Sequence, residues 1–221
     1  MSHLVSVGLL TKVFPSGVVG PAIVDTGRTE RRNRSLPARV TAYFAIGMVL
    51  YSESSDEDVL AQLTDGLSWS SGWSEVWSPP TKSAIFQARA RLSAGPIRKF
   101  FARVAVPLAT PETSGARLAG RRLVAIDGTC LDVADTVVTA SFFSRPGVNK
   151  GEQSAFPMAR VIALAECGTH AIFDAVIDAF TTSESEQSKE LIPRLQPRDV
   201  APCRSWLVWV SPVATGPSDR C

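Results

Sequence analysis

Apolar residues in the first half of the chain recur every three to four positions, the spacing that lines one face of a helix. Leu36, Val40, Phe44, Gly47 and Tyr51 share such a face, with Ser35 placed to cap the helix and Pro37 in its first turn. Ser54-Ser55-Asp56-Glu57 has the form of a capping box, in which Ser54 and Glu57 satisfy each other's free amides. Val59, Leu60, Leu63 and Leu67 form the stripe that follows, and Gly66 marks its stop. From Ser68 to Pro80 the pattern breaks into Ser, Gly and the tryptophans Trp69, Trp73 and Trp77, closed by Pro79-Pro80. Thr81 to Leu92 carries the clearest helical pattern, with Ile85, Ala88 and Leu92 inward and Lys82, Gln87, Arg89 and Arg91 outward. Ser93-Ala94-Gly95 then turns the chain, and Pro96 opens another helix through Ile97, Phe100, Phe101 and Val104, a helix-turn-helix-like pair.

Beyond Thr110–Gly120, a stretch of Pro, Ser and Gly, the period changes from helix to strand. Arg122 to Ile126 reads as a strand, with Asp127-Gly128 where it ends or turns. Arg160 to Cys167 and His170 to Phe180 read as two more, joined through Gly168-Thr169 closely enough for an antiparallel hairpin. Ser183 and Glu186 form a second capping box, opening a short helix towards Leu191 and Leu195 with Pro193 near its end. The order predicts an α+β chain: an all-α helical unit over residues 1–115, a linker over 116–122, and three strands and a helix over 123–198.

The length of 221 residues suits one large domain or two small ones, and 45% hydrophobic with 20% charged residues excludes wholesale disorder and coiled coil. The net charge of +2 hides a division into +6 over residues 1–122 and −4 over residues 123–198. Cys130, Cys167, Cys203 and Cys221 have no C-x-x-C spacing, and His3 and His170 are the only histidines. That argues against a zinc site or a disulfide framework and for a reducing cytoplasm. The N-terminus lacks the basic region and cleavage site of a signal peptide. The longest near-continuous apolar run, Thr41 to Tyr51, is about half of what a membrane span needs, so no membrane partner is expected.

Several residues invite a chemical reading beside a structural one. Asp127 follows Leu123-Val124-Ala125-Ile126 and would project a carboxylate from a strand end, a place suited to a metal ligand; it also fits the first residue of an Asp-Gly turn. Asp132 and Asp135 could share a metal with it or be solvated loop residues, while Asp174 and Asp178 read as the polar face of a strand. Arg28, Arg31, Arg32, Arg34 and Arg39, with only Glu30 as an acid among them, suit phosphate contact or a solvated surface. Lys82, Arg89 and Arg91 read more readily as the charged outer face of a packed helix than as base-reading groups. The tryptophans fit core or interface anchors better than a base-stacking platform. A Cys130/His170 nucleophile pair has no third group to orient it.

Leu10-Thr11-Lys12-Val13-Phe14-Pro15, Thr26-Gly27-Arg28-Thr29-Glu30-Arg31-Arg32, Leu36-Pro37-Ala38-Arg39-Val40, and Thr81-Lys82-Ser83-Ala84-Ile85 with Gln87-Ala88-Arg89 resemble the N-terminal domain of insertion sequence 4 family transposases. Val124-Ala125-Ile126-Asp127-Gly128-Thr129, Ala155-Phe156-Pro157, Arg160 and Glu166-Cys167-Gly168-Thr169-His170-Ala171 resemble the start of that family's catalytic domain. The resemblance spans residues 8–198, in order. It implies an RNase H-like core with a DDE triad, two aspartates and a glutamate holding two Mg²⁺ ions for phosphodiester cleavage and strand transfer at insertion-sequence terminal repeats. Asp127 corresponds to the first aspartate, as catalytic residue and metal ligand. Arg28, Arg31, Arg32, Arg34, Lys82, Arg89 and Arg91 become the expected DNA contacts. The second aspartate belongs on the strand after the Ser183–Leu195 helix, and the glutamate much further on in a Tyr/Arg/Glu/Lys motif; neither motif is present.

Residues 199–221 depart from the resemblance: Asp199-Val200-Ala201-Pro202-Cys203-Arg204-Ser205-Trp206 matches no expected strand. With permissible codons, reading one nucleotide later from Arg198 gives Gly-Met-Leu-Leu-Leu-Ala-Asp-Arg-Gly-Leu-Phe-Gly-Phe, which looks like the missing strand and its aspartate. The expectation is a frame change near Arg198, an incomplete RNase H-like domain with an uncovered sheet edge, and a DNA-binding chain that holds no productive Mg²⁺ and does not cleave. Two other readings remain. One is a stand-alone DNA-binding regulator competing with an intact transposase; the other is an unrelated hydrolase using Asp127 with Asp132.

Overall fold

The structure is a computed structural model that describes residues 7–32, 34–71, 80–147, 153–197, 199–203 and 206–209. The chain divides into two compact units, Met1–Arg103 and Val104–Cys221. The division falls earlier than the sequence boundary at residue 115. Leu108 and Ala109 explain this, because their backbone amides are hydrogen-bonded to Glu166 of the second unit.

Six helices build the first unit: α1 (Val7–Val13), α2 (Ser16–Val24), α3 (Ala38–Leu50), α4 (Asp56–Ser71), α5 (Lys82–Leu92) and α6 (Ala94–Val104). The hub is α3, which packs on α2, α4 and α5. Its Val40, Ala42, Tyr43 and Phe44 are buried together with Ile23 of α2, Val59, Leu60 and Leu63 of α4, and Ile85, Ala88 and Leu92 of α5. Val40, Phe44, Val59, Leu60, Leu63, Ile85, Ala88 and Leu92 are positions that helical spacing marks as inward, whereas Ala42, Tyr43 and Ile23 are buried beyond that stripe. Gly47 lets α3 and α4 approach, since a methyl group there would stand 3.1 Å from Val59 Cγ1 and 3.3 Å from Leu63 Cδ1. Phe100 of α6 meets Phe14 edge to face, ring centroids 5.1 Å apart.

The helix ends differ in detail from the sequence reading. Pro37, not Ser35, is the residue before α3, and the amide of Ala38 is satisfied by the Glu30 carboxylate from the preceding loop. Before α4 the box shifts by one residue: Ser55 Oγ accepts from the Asp58 amide at 3.2 Å and donates to Asp58 Oδ2 at 2.8 Å. Asp58 accepts from the Ser55 hydroxyl, where the expected box had Glu57 accept from a backbone amide. The helix continues through Gly66 to Ser71, so that glycine is not a stop. Thr81 caps α5 as expected, accepting from the Ala84 amide at 3.2 Å. Trp69 falls within α4, whereas Trp73 and Trp77 lie outside the described residues.

The second unit is a mixed sheet with helices: β1 (Arg117–Leu118), β2 (Arg121–Asp132), α7 (Val137–Phe143), β3 (Met158–Glu166), β4 (Ile172–Ala179), α8 (Glu184–Leu191) followed by a 3₁₀ turn (Ile192–Arg194), β5 (Asp199–Cys203) and β6 (Trp206–Trp209). The strand order is β4-β3-β2-β5-β6, with β1 pairing β2. The strands β2, β3 and β4 form an antiparallel meander, and after α8 the chain returns to lay β5 parallel to β2 in the register Arg122↔Asp199 and Leu123↔Val200. Val124, Ile162, Leu164, Leu191, Leu195 and Ala201 form the core between the sheet and α8. The α+β class stands. The expectation of three strands and a helix is corrected: residues 199–203 form a fourth long-range strand, which covers the edge of β2, and 206–209 pair beyond it.

Three further differences have local causes. The expected linker 116–122 is itself a hairpin, in which Ala119 and Gly120 both take positive φ, the mirror-image turn that two-residue hairpins require. Asp127-Gly128 is not a turn, since β2 runs on to Asp132 with Gly128 paired to Ile162. Gly128 serves packing, because a methyl group there would lie 2.7 Å from Ile162 Cδ1. The helix α7 escapes a periodicity search because its apolar residues cover no core: Val137 is 88% exposed, and the helix is held at its start by a Thr136/Thr139 capping box.

Candidate functional site

The arginine-rich loop between α2 and α3 is positioned at both ends by ordinary local bonds. Thr26 caps back onto the carbonyls of Ala22 and Ile23, and Glu30 reaches the first amide of α3. Of the two acids in the loop, Asp25 pairs with Arg103 at 2.7 Å and Glu30 serves as a helix cap, which leaves the surface from Arg28 to Arg34 to cations. Arg28, Arg31, Arg32, Arg34 and Arg39 are all exposed. Arg28 Nη1 donates to the carbonyl of Arg91 at 3.2 Å, which joins the loop to the C-terminal end of α5. Among the described residues Arg31, Arg32 and Arg34 make no ion pair.

The same structure removes two residues from that group. Lys82 Nζ lies 3.5 Å from Glu57, and Arg89 Nη1 lies 3.8 Å from Asp56. Both acids stand in the first turn of α4, where the helix dipole also favours them. The seven sequence candidates therefore separate: Arg28, Arg31, Arg32, Arg34 and Arg91 belong to one basic surface, while Lys82 and Arg89 are matched by acids.

Asp127 sits in the middle of β2, opposite Ala163 of β3. Val124 and Ile126 point into the α8 core, so alternation turns Asp127 to the other face of the sheet, with Leu123, Ala125 and Thr129 on its own strand. Its side chain is exposed, and among the described residues its one hydrogen bond is from the amide of Gly128 at 2.9 Å. Asp132 lies five residues on, facing the opposite side and about 17 Å away along the strand. Asp135 is tied to Arg145 at 2.5 Å. The three carboxylates do not converge, and the described residues contain no group of three or more His, Cys, Asp or Glu that could hold a metal ion. The donor set around Asp127 does not fit a two-Mg²⁺ centre. Cys130 and His170 are also far apart, since Cys130 is level with Arg160 and His170 follows the other end of β3.

Other acids of the second unit are engaged structurally. Asp199, 3% exposed, takes both ends of the Arg122 guanidinium, Nε at 2.9 Å and Nη2 at 2.6 Å, and accepts the Gln196 amide at 2.8 Å. Arg122 in turn lies 5.0 Å over the Phe173 ring. Glu166, 1% exposed, accepts from the amides of Leu108 and Ala109 and from Thr169 Oγ1. Gly168, at φ +88°, completes that clamp, because a methyl group there would stand 2.6 Å from the Ser114 carbonyl oxygen. Asp174 pairs with Arg194 at 2.6 Å and Asp178 accepts from Thr182 Oγ1 at 2.9 Å, both consistent with a polar strand face. Sequence reasoning missed Glu30, Glu166 and the Arg122–Asp199 pair. Glu30 and Glu166 carried a signal only as members of the motifs Thr26–Arg32 and Glu166–Ala171, and the Arg122–Asp199 pair carried none.

Residues 4–102 match the insertion element 4 transposase N-terminal family. The chain is 25% identical over 175 residues to the transposase InsG of insertion sequence element IS4 from Escherichia coli (strain K12), an alignment covering 79% of this chain and 38% of that protein. It is 24% identical over 180 residues to InsZ of the same organism, named as a candidate transposase, covering 81% of this chain and 57% of that one. The chain thus spans well under two thirds of the length of both relatives. No solved structure matches it significantly.

Proposed function

We propose that this chain, whose residues 4–102 match the insertion element 4 transposase N-terminal family and which is similar to InsG and InsZ, binds the DNA ends of an insertion sequence and, as it stands, does not cut them. The observation that carries the binding half is the loop in which Glu30 is drawn inward as a helix cap while Arg31, Arg32 and Arg34 stay exposed beside Arg28 and Arg91. Exposed arginines without matching acids neutralise phosphates and release counterions, so binding must weaken steeply with salt. A titration of the chain with an insertion-sequence end at several salt concentrations tests this. Binding that is absent, or indifferent to salt, removes the reading.

The inactive half rests on the isolation of Asp127. Two-metal phosphodiester cleavage needs several carboxylates around the ions, and Asp127 has none beside it among the described residues. Mg²⁺ is the cofactor the family implies, and the described residues gather no carboxylate cluster around Asp127 to hold it. An RNase H-like core remains the reading of the sheet, supported by the meander β2-β3-β4 followed by a crossover through α8 to parallel β5. A frame change near Arg198 is supported by the string that the shifted reading gives, Ala-Asp-Arg-Gly, which resembles the missing strand and its aspartate. Sequencing the gene past the Arg198 codon decides this, since the absence of an Ala-Asp-Arg-Gly-like frame would sink it. Mg²⁺-dependent cleavage of terminal repeats that is abolished by Asp127→Ala would overturn the inactive reading.

Binding without cleavage also makes the chain a competitor of an intact transposase at the same ends. The hydrolase reading loses its basis, because Asp127 and Asp132 face opposite sides of the sheet.

A further inference from the structure

The outer face of α5 is unlike the charged surface its composition suggests. At about 100° per residue, the buried side chains Ile85, Ala88 and Leu92 define the inward direction. Ser83, Phe86, Gln87 and Ala90 project the opposite way, and all four are exposed. None is charged, and Phe86 is a large aromatic ring 73% exposed on a helix that buries Ile85, Ala88 and Leu92. Gln87 Nε2 stands 3.5 Å from Ser83 Oγ, so the two polar groups lie side by side along the face. The cations lie on its flanks. Lys82 and Arg89, with Glu57 and Asp56 against them, make one flank near neutral. Arg91 and the Arg28 that reaches its carbonyl make the other flank basic and continuous with Arg31, Arg32 and Arg34.

We propose that α5 is a base-reading helix for duplex DNA containing A·T pairs, with Gln87 reading adenine and Phe86 and Ala90 packing on thymine methyl groups. This rests on the DNA-binding reading above. The chemistry of the face fits the major groove: a glutamine amide matches the donor and acceptor of adenine, apolar side chains meet the thymine methyl, and serine accepts either partner. Charge decides the approach, because phosphates are drawn to the arginine flank and not to the flank that carries Asp56 and Glu57. The face is short and uncharged, so it adds sequence preference and little bulk affinity, which the arginine loop supplies.

Selection of the full-length chain against a pool of duplexes with a randomised core is the test, followed by titration of the selected and a scrambled duplex. The wild-type chain selects A·T-containing cores. Gln87→Ala and Phe86→Ala each lower the ratio of selected to scrambled affinity about tenfold or more and leave the scrambled affinity nearly unchanged. Arg31→Ala weakens both duplexes alike and leaves the ratio intact. Both α5 residues are exposed, so the variants keep their helical signal and melting temperature. An unchanged ratio in both variants, or selection of G·C cores, overturns the proposal. Binding of all duplexes alike overturns it too, yet leaves the DNA-binding reading standing, whereas failure to bind any duplex removes both.

Discussion

The helical and sheet units use their charges in opposite ways. In the helical unit the core is apolar, Arg89 and Arg103 are matched by Asp56 and Asp25, and the loop arginines Arg31, Arg32 and Arg34 make no ion pair among the described residues, Glu30 beside them being turned to a backbone amide. In the sheet unit the buried and half-buried acids are engaged in structure, Asp199 by Arg122, Glu166 by a connecting segment and Asp174 by Arg194, while Asp127 stays exposed with no second carboxylate beside it among the described residues. The net charges of the two units, +4 over residues 1–103 and −2 over residues 104–221, are thus not mirror images. A positive surplus left exposed is available to a polyanion, while a negative surplus folded into ion pairs and hydrogen bonds is not available to a metal. Regional net charge signals a function only where the charges stay unpaired.

The most severe way to break this comparison is to remove one buried partner. Arg122→Ala leaves the Asp199 carboxylate buried without its cation and should cost the sheet unit about 3–5 kcal/mol, read as a large fall in its urea midpoint while the helical unit's transition stays put. A single shared transition that shifts as a whole would show that the units do not respond separately. Next in size, Glu166→Ala frees the amides of Leu108 and Ala109 and removes hydrogen bonds to a charged group, each about 1.5–3 kcal/mol. Amide exchange at those two residues should rise well before exchange in β3 does.

On the helical side, Arg31→Ala or Arg32→Ala should reduce the slope of log affinity against log salt by about 1 each, whereas Lys82→Ala and Arg89→Ala should leave it almost unchanged because Glu57 and Asp56 already match them. Equal losses from all four would erase the distinction between matched and unmatched cations. The smallest effect concerns Tyr43. Burial raises its phenol above the usual tyrosine value against the opposing pull of Arg39, and its hydroxyl donates to the Phe14 carbonyl at 2.6 Å. The folded pKa is the higher one, so this contribution is complete at neutral pH and declines as pH climbs past the ordinary tyrosine range. Unfolding midpoints of wild type and Tyr43→Phe should converge at high pH.

Helix faces were readable wherever spacing and burial coincided. Leu36, Val40, Phe44 and Gly47 in and near α3, and Ile85, Ala88 and Leu92 in α5, are buried as their periodicity predicts. The hairpin at Gly168-Thr169 was readable for the same local reason. What escaped depends on residues far apart in the chain. Asp199 resembled the start of a stray tail, and it is strand only because Arg122, which no local pattern links to it, meets it across a parallel pairing. Glu57 looked like a capping residue, while Ser55 and Asp58 do the capping and Glu57 turns to Lys82.

By itself the sequence determined the class of the chain, the inward faces of its principal helices, the three strands with the Gly168-Thr169 hairpin, and the basic residues of the first unit, because each of these follows from periodicity or composition within a few residues. Tertiary structure decided which charges remain free. An arginine is available to DNA, and an aspartate to a metal, only if no partner brought from elsewhere in the chain has taken it. That pairing is set by strand register and helix packing: Lys82 and Arg89 lost their freedom to α4, Arg31, Arg32 and Arg34 kept theirs, and Asp127 was left alone on its face of the sheet.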